Sequence, residues 1–361
     1  MRLLFYTRHA RRGASSRQRS IQFFDALTAH GHQVRHRPFF SDAYLTDRGA
    51  GRASRVLMSF LRRFASLVID AGWADVVVVE KELLPHLPAS VERLIGPRGR
   101  PVVYDFDDAV WRSHERASPS LFHRWMTRKT RALVVRATHV TAGSRHLRDQ
   151  LAQWTEAPVT LVPTTVPAAR YRGQGLRAAR TIDMVWIGSP STARHLAGLF
   201  PVLETLHRRH GWRLRAIGLP TGEPWPPFVT VEPWSEATEI DLLASARVGV
   251  MPLPDDPFER GKCGFKLVQY MGVGLPVVAS AVGENRHLVV EGRTGLLART
   301  DAEWTNALTR LLSAPDLAER MGEAGHARFL DLYTAEAAAR RLESVWRQAA
   351  EGGGKLPARP R

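Results

Sequence analysis

Cysteine is nearly absent: Cys263 is the only one in 361 residues. A disulfide framework within the chain is therefore excluded, and a reducing compartment is expected. No apolar run approaches the roughly 18 residues that cross a bilayer. The opening M-R-L-L-F-Y-T meets charge too soon for a secretory leader and reads as a first strand. The chain also lacks G-x-G-x-x-G, a P-loop, G-x-S-x-G, any zinc-ligand spacing and any short-period repeat. Dinucleotide cofactors, NTPase chemistry and serine hydrolysis thus lose their usual signals. Acids are scarce, 35 against 51 Lys and Arg, a net charge of +16. The excess is uneven. Residues 1–170 hold 27 basic and 14 acidic side chains, and the rest holds 24 and 21. A first half this basic suits an anionic partner, either nucleic acid, an acidic membrane surface or a phosphorylated acceptor; arginine-rich coding explains it equally well. Nucleic acid is disfavoured, since aromatic residues are not interleaved with the basic ones.

The length suits two domains, and the most informative stretch is Glu259 to Gly283. A polar loop with Lys262 and Lys266 leads into a short helix over Phe265 to Met271. Gly272 and Gly274 stop that helix, and Leu275 to Ser280 reads as a buried strand. A helix start offers free N–H groups and a positive dipole end, which suits phosphate. Two lysines beside it suit a diphosphate. A second anion site is expected at Gly188-Ser189-Pro190-Ser191-Thr192, where a strand over Asp183 to Ile187 turns into a helix running to Arg209.

The first half opens as strand, Gly-bearing basic loop, helix (Ser16 to Ala29) and strand, a βαβ unit. Gly51 to Asp70 reads as a basic amphipathic helix, either a crossover helix on a sheet or one lying on an anionic membrane. Further helices are expected over Leu83 to Ile95 and Pro119 to Arg136. The apolar strand Pro101 to Tyr104 runs into Asp105-Phe106-Asp107-Asp108-Ala109-Val110-Trp111. Acids at a strand's carboxyl end face the crevice where α/β proteins bind ligands. The Asp-x-Asp pair fits a divalent-metal site or the nucleophile of a phosphatase. Trp111 and Arg112 follow where a phosphatase would want small and hydroxyl residues.

The run G-K-C-G-F-K-L-V-Q-Y-M-G-V-G-L-P-V-V-A-S resembles the donor-binding signature of family 4 glycosyltransferases, retaining enzymes of the GT-B fold. W-I-G-S-P-S-T, S-S-R-Q-R, D-F-D-D-A-V-W and G-R-T-G-L-L resemble further segments of a sub-branch of that family. The usual acid-x7-Glu pair is absent: Gly261 and Gln269 stand at its two positions. The resemblance implies two Rossmann-like α/β domains facing across a cleft, with the last helix crossing back to the first domain. The expected domains are 1–170 on the acceptor side, 171–335 on the nucleotide-sugar side, and 336–361 as crossover helix and disordered tail. The linker is expected over Arg170 to Arg180.

The resemblance also implies site roles. Lys262 and Lys266 stabilise the leaving diphosphate, and Asp105 and Asp107 orient hydroxyls. Gly188, Ser189, Ser191, Thr192, Gly264 and Phe265 cradle the donor. Gln269 bonds ribose, Glu259 is a candidate for the missing first acid, and Trp234 contacts the base or is simply a packed Trp. Gly13, Ser16, Arg17 and Arg19 line the acceptor side, with Arg17 or Arg19 facing the cleft. No metal and no cofactor are expected. The partners are a nucleotide-sugar donor and a hydroxyl acceptor, anionic or lipid-linked; nucleic acid is not a partner. The expected location is cytoplasmic, with peripheral contact at the inner face of the membrane. The competing readings are a degenerate module that binds nucleotide sugar or a partner without turnover, and a metal-dependent transferase using Asp105-x-Asp107.

Overall fold

The structure, a computed structural model, describes residues 1–46, 52–112, 121–171 and 179–352. Most of the expected linker and all of the tail beyond Gly352 lie outside the described residues. The chain divides into two compact units. Unit 1 holds Met1–Thr164, Gly261–Cys263 and Ala335–Arg361; unit 2 holds Thr165–Arg260 and Gly264–Thr334.

Unit 1 runs β1 (Arg2–His9), α1 (Ala14–Arg19), α2 (Phe24–Ala29), β2 (Gln33–Phe40), α3 (Asp42–Thr46), α4 (Arg52–Ile69), β3 (Val76–Glu80), α5 (Ala89–Ile95), β4 (Val102–Phe106), α6 (Leu121–Val134), β5 (His139–Ala142), α7 (Arg145–Ala152) and β6 (Val159–Leu161). Its six strands form one parallel sheet in the order β2-β1-β3-β4-β5-β6. A parallel sheet is covered on both faces, so its inner strands read as unbroken apolar runs; Val76-Val77-Val78-Val79 is one. On one face Phe5, Val78 and Val103 pack with Phe23, Leu27 and Trp346.

Unit 2 runs β7 (Ile182–Ile187), α8 (Ala193–Ala197), α9 (Phe200–His210), β8 (Leu214–Ile217), β9 (Val229–Glu232), α10 (Glu239–Ala244), β10 (Ala246–Met251), α11 (Phe265–Gly272), β11 (Val277–Ser280), α12 (Asn285–Leu288), β12 (Gly295–Ala298), α13 (Asp301–Ser313) and α14 (Pro315–Leu332). The sheet order is β12-β11-β10-β7-β8-β9, again all parallel. Period-2 alternation splits its strands between two cores: Val185 and Ile187 face one, Met184 and Trp186 the other. The last helix, α15 (Ala335–Gly352), groups with unit 1, where its Ala338, Leu342 and Trp346 join the core.

Three expected helices are shorter or broken. The segment over Ser16 to Ala29 breaks at Ser20, whose φ of −135° leaves the helical region. The one from Thr192 to Arg209 breaks at Gly198, and Pro201 opens α9 in its first turn. Residues 83–88, with Pro85 and Pro88, are not helical; the Glu92 carboxylate instead accepts from the backbone N–H of Leu83 and Leu84 at 3.0 and 3.1 Å.

Candidate functional site

In unit 2 the loops after β7, β8 and β9 meet. Gly188 and Gly218 follow β7 and β8, and a Cβ on Gly218 would lie 2.3 Å from the Gly188 carbonyl oxygen. Gly218 also has φ of +89°, so glycine is needed for both space and backbone. Gly218→Ala is expected to cost about 1–3 kcal/mol of stability, read from urea unfolding. Trp234, in the loop after β9, touches the same spot. Its Cβ is 3.4 Å from that hypothetical methyl. Its indole N–H donates to Glu239 at 2.6 Å while the residue stays 40% exposed. Trp234 is therefore neither a core residue nor a free one: its N–H edge is tied down and part of the residue faces water.

The turn after β7 is built from its hydroxyls. The Ser189 N–H donates to Thr192 Oγ1 at 3.2 Å, Thr192 Oγ1 donates to the Ser189 carbonyl at 2.9 Å, and Ser189 and Ser191 hydroxyls lie 2.8 Å apart. A Cβ on Gly188 would strike the Trp186 ring at 2.3 Å. On the first turn of α11, the Lys266 ammonium sits over that same indole, 5.3 Å from its centre. Trp186 itself is buried on β7. One ring thus brings together the glycine turn and the lysine, two segments far apart in sequence. Gly264 starts α11 with φ of +66°, and Phe265 beside it is half-buried.

Two donor-side residues differ from expectation. Gln269 is buried, and its amide nitrogen points at Tyr171 Oη at 3.4 Å. It is packed inside unit 2 rather than presented to a ribose. The Tyr171 hydroxyl in turn donates to Glu239, the acid that also holds Trp234. Glu259 has no exposed surface; its carboxylate lies 3.1 Å from His195 Nε2 and 3.4 Å from Arg194. It is an internal ion-pair partner in this structure.

Unit 1 gathers a second cluster, at the carboxyl ends of β1, β3 and β4. Gly13 caps α1, and a Cβ there would overlap His9 Cβ at 2.3 Å. Ser16 is buried, accepting from the His9 N–H at 3.0 Å and donating to Glu80 at 2.5 Å. The Ser15 hydroxyl lies 2.8 Å from a Glu80 oxygen and 2.5 Å from an Asp107 oxygen, and its one proton serves one of them at a time. Lys81 pairs with Asp107 at 2.7 Å. Burial alone would raise the Asp107 carboxyl, but Lys81 and Ser15 outweigh it and hold the group down at about 2. Burial likewise pushes Glu80 up. Lys81 adopts φ of +63°, unusual for a residue with a Cβ. Its N–H donates to the Asp105 carbonyl at 2.9 Å, which fixes the turn.

Arg19, expected to face the cleft, and Asp105, expected to orient hydroxyls, are both buried. The two form a buried pair, at 2.9 Å from Nε and 2.5 Å from Nη2. Thr141 donates to the same carboxylate at 2.6 Å, and Arg19 Nη1 donates to the Val162 carbonyl at 2.6 Å. Burial would lower the Arg19 guanidinium, but Asp105 more than reverses that and raises it. Arg17, half-exposed, reaches the Arg11 carbonyl at 3.2 Å. Lys262 belongs by contacts to unit 1, its ammonium 3.8 Å from Asp108. The two lysines of the sequence thus fall in different units, with Lys266 over the Trp186 ring in unit 2. Cys263, also in unit 1, is buried with its thiol 2.8 Å from the Asp107 carbonyl, and burial pushes its titration up.

Residues 185–314, which contain this turn, Trp234, Gln269 and Lys266, match the model described as "Glycosyl transferases group 1". Over that span the chain is similar to the group 1 glycosyl transferases. The curated D-inositol 3-phosphate glycosyltransferase of Gordonia bronchialis is 32% identical over 92 residues, 25% of this chain and 19% of that enzyme. The chain thus matches about a fifth of that relative's length. Among solved structures, sucrose-phosphate synthase from Thermosynechococcus elongatus aligns with a TM-score of 0.71 and 19% identity, covering 96% of this chain and 98% of that one. Anabaena HepE in complex with UDP and glucose aligns at 0.66 and 16%, covering 95% and 98%. A UDP-forming trehalose-phosphate synthase from Burkholderia xenovorans aligns at 0.63 and 14%, covering 97% and 99%. At these identities the likeness is one of fold, and the fold is GT-B.

Sequence reasoning passed over several residues that the structure brings into these clusters. Glu80 and Lys81 follow a buried valine strand directly, and a charge pair in that place was the available signal. His195, Tyr171 and Glu239 carried none, because their partners lie far along the chain. Among the described residues, no group of three His, Cys, Asp or Glu side chains is placed to share a metal ion.

Proposed function

We propose that the protein is a retaining glycosyltransferase that moves a sugar from a nucleoside diphosphate sugar to a hydroxyl acceptor without a metal ion. The observation that carries this reading is the convergence of Lys266 and the Gly188-Ser189 turn on the Trp186 ring, inside the group 1 domain. A fixed ammonium beside backbone N–H groups suits the negative charge that builds on a departing diphosphate. Trp234, held by its N–H edge and partly exposed, suits the nucleotide base. In the proposed step the acceptor oxygen bonds to the anomeric carbon as the carbon–phosphate-oxygen bond breaks on the same face. The acceptor proton passes to the leaving diphosphate, so no enzymic nucleophile is needed. Metal independence is supported by the cations already on both candidate carboxylates, Arg19 on Asp105 and Lys81 on Asp107.

The similar proteins favour UDP as the first donor base to test, since HepE carries UDP. They favour a phosphorylated acceptor too, since the Gordonia enzyme's name specifies inositol 3-phosphate. The basic first half of the chain fits an anionic or lipid-linked acceptor and peripheral placement at the inner face of a membrane. The second reading is a module that binds nucleotide sugar without turnover. It draws on Gly261 at one acid position and on the buried Gln269 at the other.

A thermal-shift screen against nucleoside diphosphates and sugar nucleotides, with and without EDTA, tests the donor. A ligand at about 100 times its Kd stabilises the fold by about 2.7 kcal/mol, a shift of several degrees. The expected result is a shift with one nucleotide that survives EDTA. A shift that EDTA abolishes moves the chemistry to a metal site at Asp105 and Asp107, and no shift with any nucleotide sinks the donor assignment. Turnover of the shifting donor separates the transferase from the binding module.

A further inference from the structure

The α4 helix carries apolar side chains on both of its faces. Its inward face buries Leu67 with Ser59, Arg63 and Ser66, and Phe60 packs on Phe39. Its outward face carries Leu57, Leu61, Val68 and Ile69, exposed at 62, 53, 85 and 72%. These lie at helical spacing on one side, with Arg62 among them. The inward face already supplies the packing that holds the helix, so an outward apolar stripe of this size marks a surface that meets something other than water.

The helices α4, α5 and α6 form one layer over unit 1. Tyr6, Val79 and Tyr104 are register partners across β1, β3 and β4 and so share a face of the sheet. The Tyr6 hydroxyl donates to the Ser66 carbonyl of α4 at 3.1 Å. Arg63 of α4 reaches over the Tyr6 ring at 4.6 Å. Glu92 of α5 acts electrostatically on Tyr104 and is bonded to Lys129 of α6 at 2.7 Å. The outer side of α6 presents Arg124, Arg128 and Arg131 at a spacing of four and three. Neither α4 nor α6 contains an acid, and the one acid of α5, Glu92, is buried. Among the described residues the outer face of this layer therefore carries an apolar stripe on α4 and a basic one on α6.

We propose that this face docks on an anionic lipid bilayer, with the α4 stripe entering the headgroup–acyl boundary and the α6 arginines meeting lipid phosphates. The inference rests on the peripheral placement proposed above and names its surface. A bilayer supplies both an apolar depth and a sheet of negative charge. A second copy of this chain would bring another basic stripe with no acid from these helices to receive it.

The test is co-sedimentation of the full chain with phosphatidylcholine vesicles that contain or lack phosphatidylglycerol. Binding to the anionic vesicles is expected, weakening as salt rises. The Leu61→Glu/Val68→Glu variant is expected to lower the partition coefficient by more than about tenfold. The Arg124→Gln/Arg128→Gln/Arg131→Gln variant is expected to remove most of the preference for phosphatidylglycerol. Leu330→Glu, at an exposed position of unit 2, is the control and should change neither. All substituted positions are exposed, and melting of each variant checks folding. Absence of wild-type binding overturns the proposal. So does binding that Leu61→Glu/Val68→Glu leaves intact, or a dimer in light scattering that the same variant dissociates. The nucleotide shift is read on the same samples; its loss with vesicle binding kept counts against the transferase reading alone.

Discussion

Lys266→Ala is expected to lower turnover by more than about tenfold, the low end of what one lost charge-stabilising contact costs a developing anion. The effect on folding should be small by comparison. The ammonium's hold on the Trp186 ring, at 5.3 Å, is a contact of about 0.5–1 kcal/mol. Lys266 is also half-exposed, so its removal leaves no buried void. Activity and stability therefore separate in this variant, as they would not for a core residue. The place of the loss is informative. A contact made mainly with the departing diphosphate lowers kcat with KM nearly unchanged, whereas one made equally with the bound donor raises KM. Lys266→Arg keeps the charge but replaces a compact ammonium by a planar fork. Partial rescue by Arg points to charge, and none points to geometry around the glycine turn. Near-normal kcat/KM in Lys266→Ala removes the residue from the mechanism.

What was legible in the sequence follows the range of the forces involved. The alternation of strand and helix is written locally, in runs such as Val76 to Val79 and in the glycines that end helices. The Gly188 turn was legible too, because its hydroxyls bond within four residues. The place of Lys266 on a helix's first turn was legible because a helix start after a polar loop is a local feature. Side-chain partners chosen across the fold were not legible. Gln269 looked like a ribose ligand from its place in the signature, but its amide is held near Tyr171. Glu259 looked like a displaced acid and is an internal partner of His195. The α4 helix shows the same limit from the other side. Its amphipathicity was plain in the sequence, yet periodicity alone does not say which face turns inward. Only the buried Ser59, Arg63, Ser66 and Leu67 settle which apolar side chains face out.

The second large effect belongs to Arg19 and Asp105. Breaking this buried pair from one side should destabilise unit 1 by about 3–5 kcal/mol, because the remaining charge stays in a dry site without its counterion. Arg19→Met leaves the Asp105 carboxylate with Thr141 as its bonded donor among the contacts described, and strips the Val162 carbonyl of its guanidinium. Asp105→Leu leaves a guanidinium that burial already disfavours. A loss of that size is a large part of the stability of any domain, so both single variants should unfold at markedly lower urea. The double variant Arg19→Met/Asp105→Leu tests the cause. If uncompensated charge is what each single change suffers from, the double recovers most of the loss, since a well-packed apolar pair replaces a buried ion pair at little net cost. If the double is as unstable as the sum of the singles, the pair acts through shape and its bonds to Thr141 and Val162, not through charge. Nucleotide shifts in the double then report on function. Retained binding confines the pair to holding the end of α1 against β4 and β5, and lost binding would return Arg19 and Asp105 to the site from which their burial removes them.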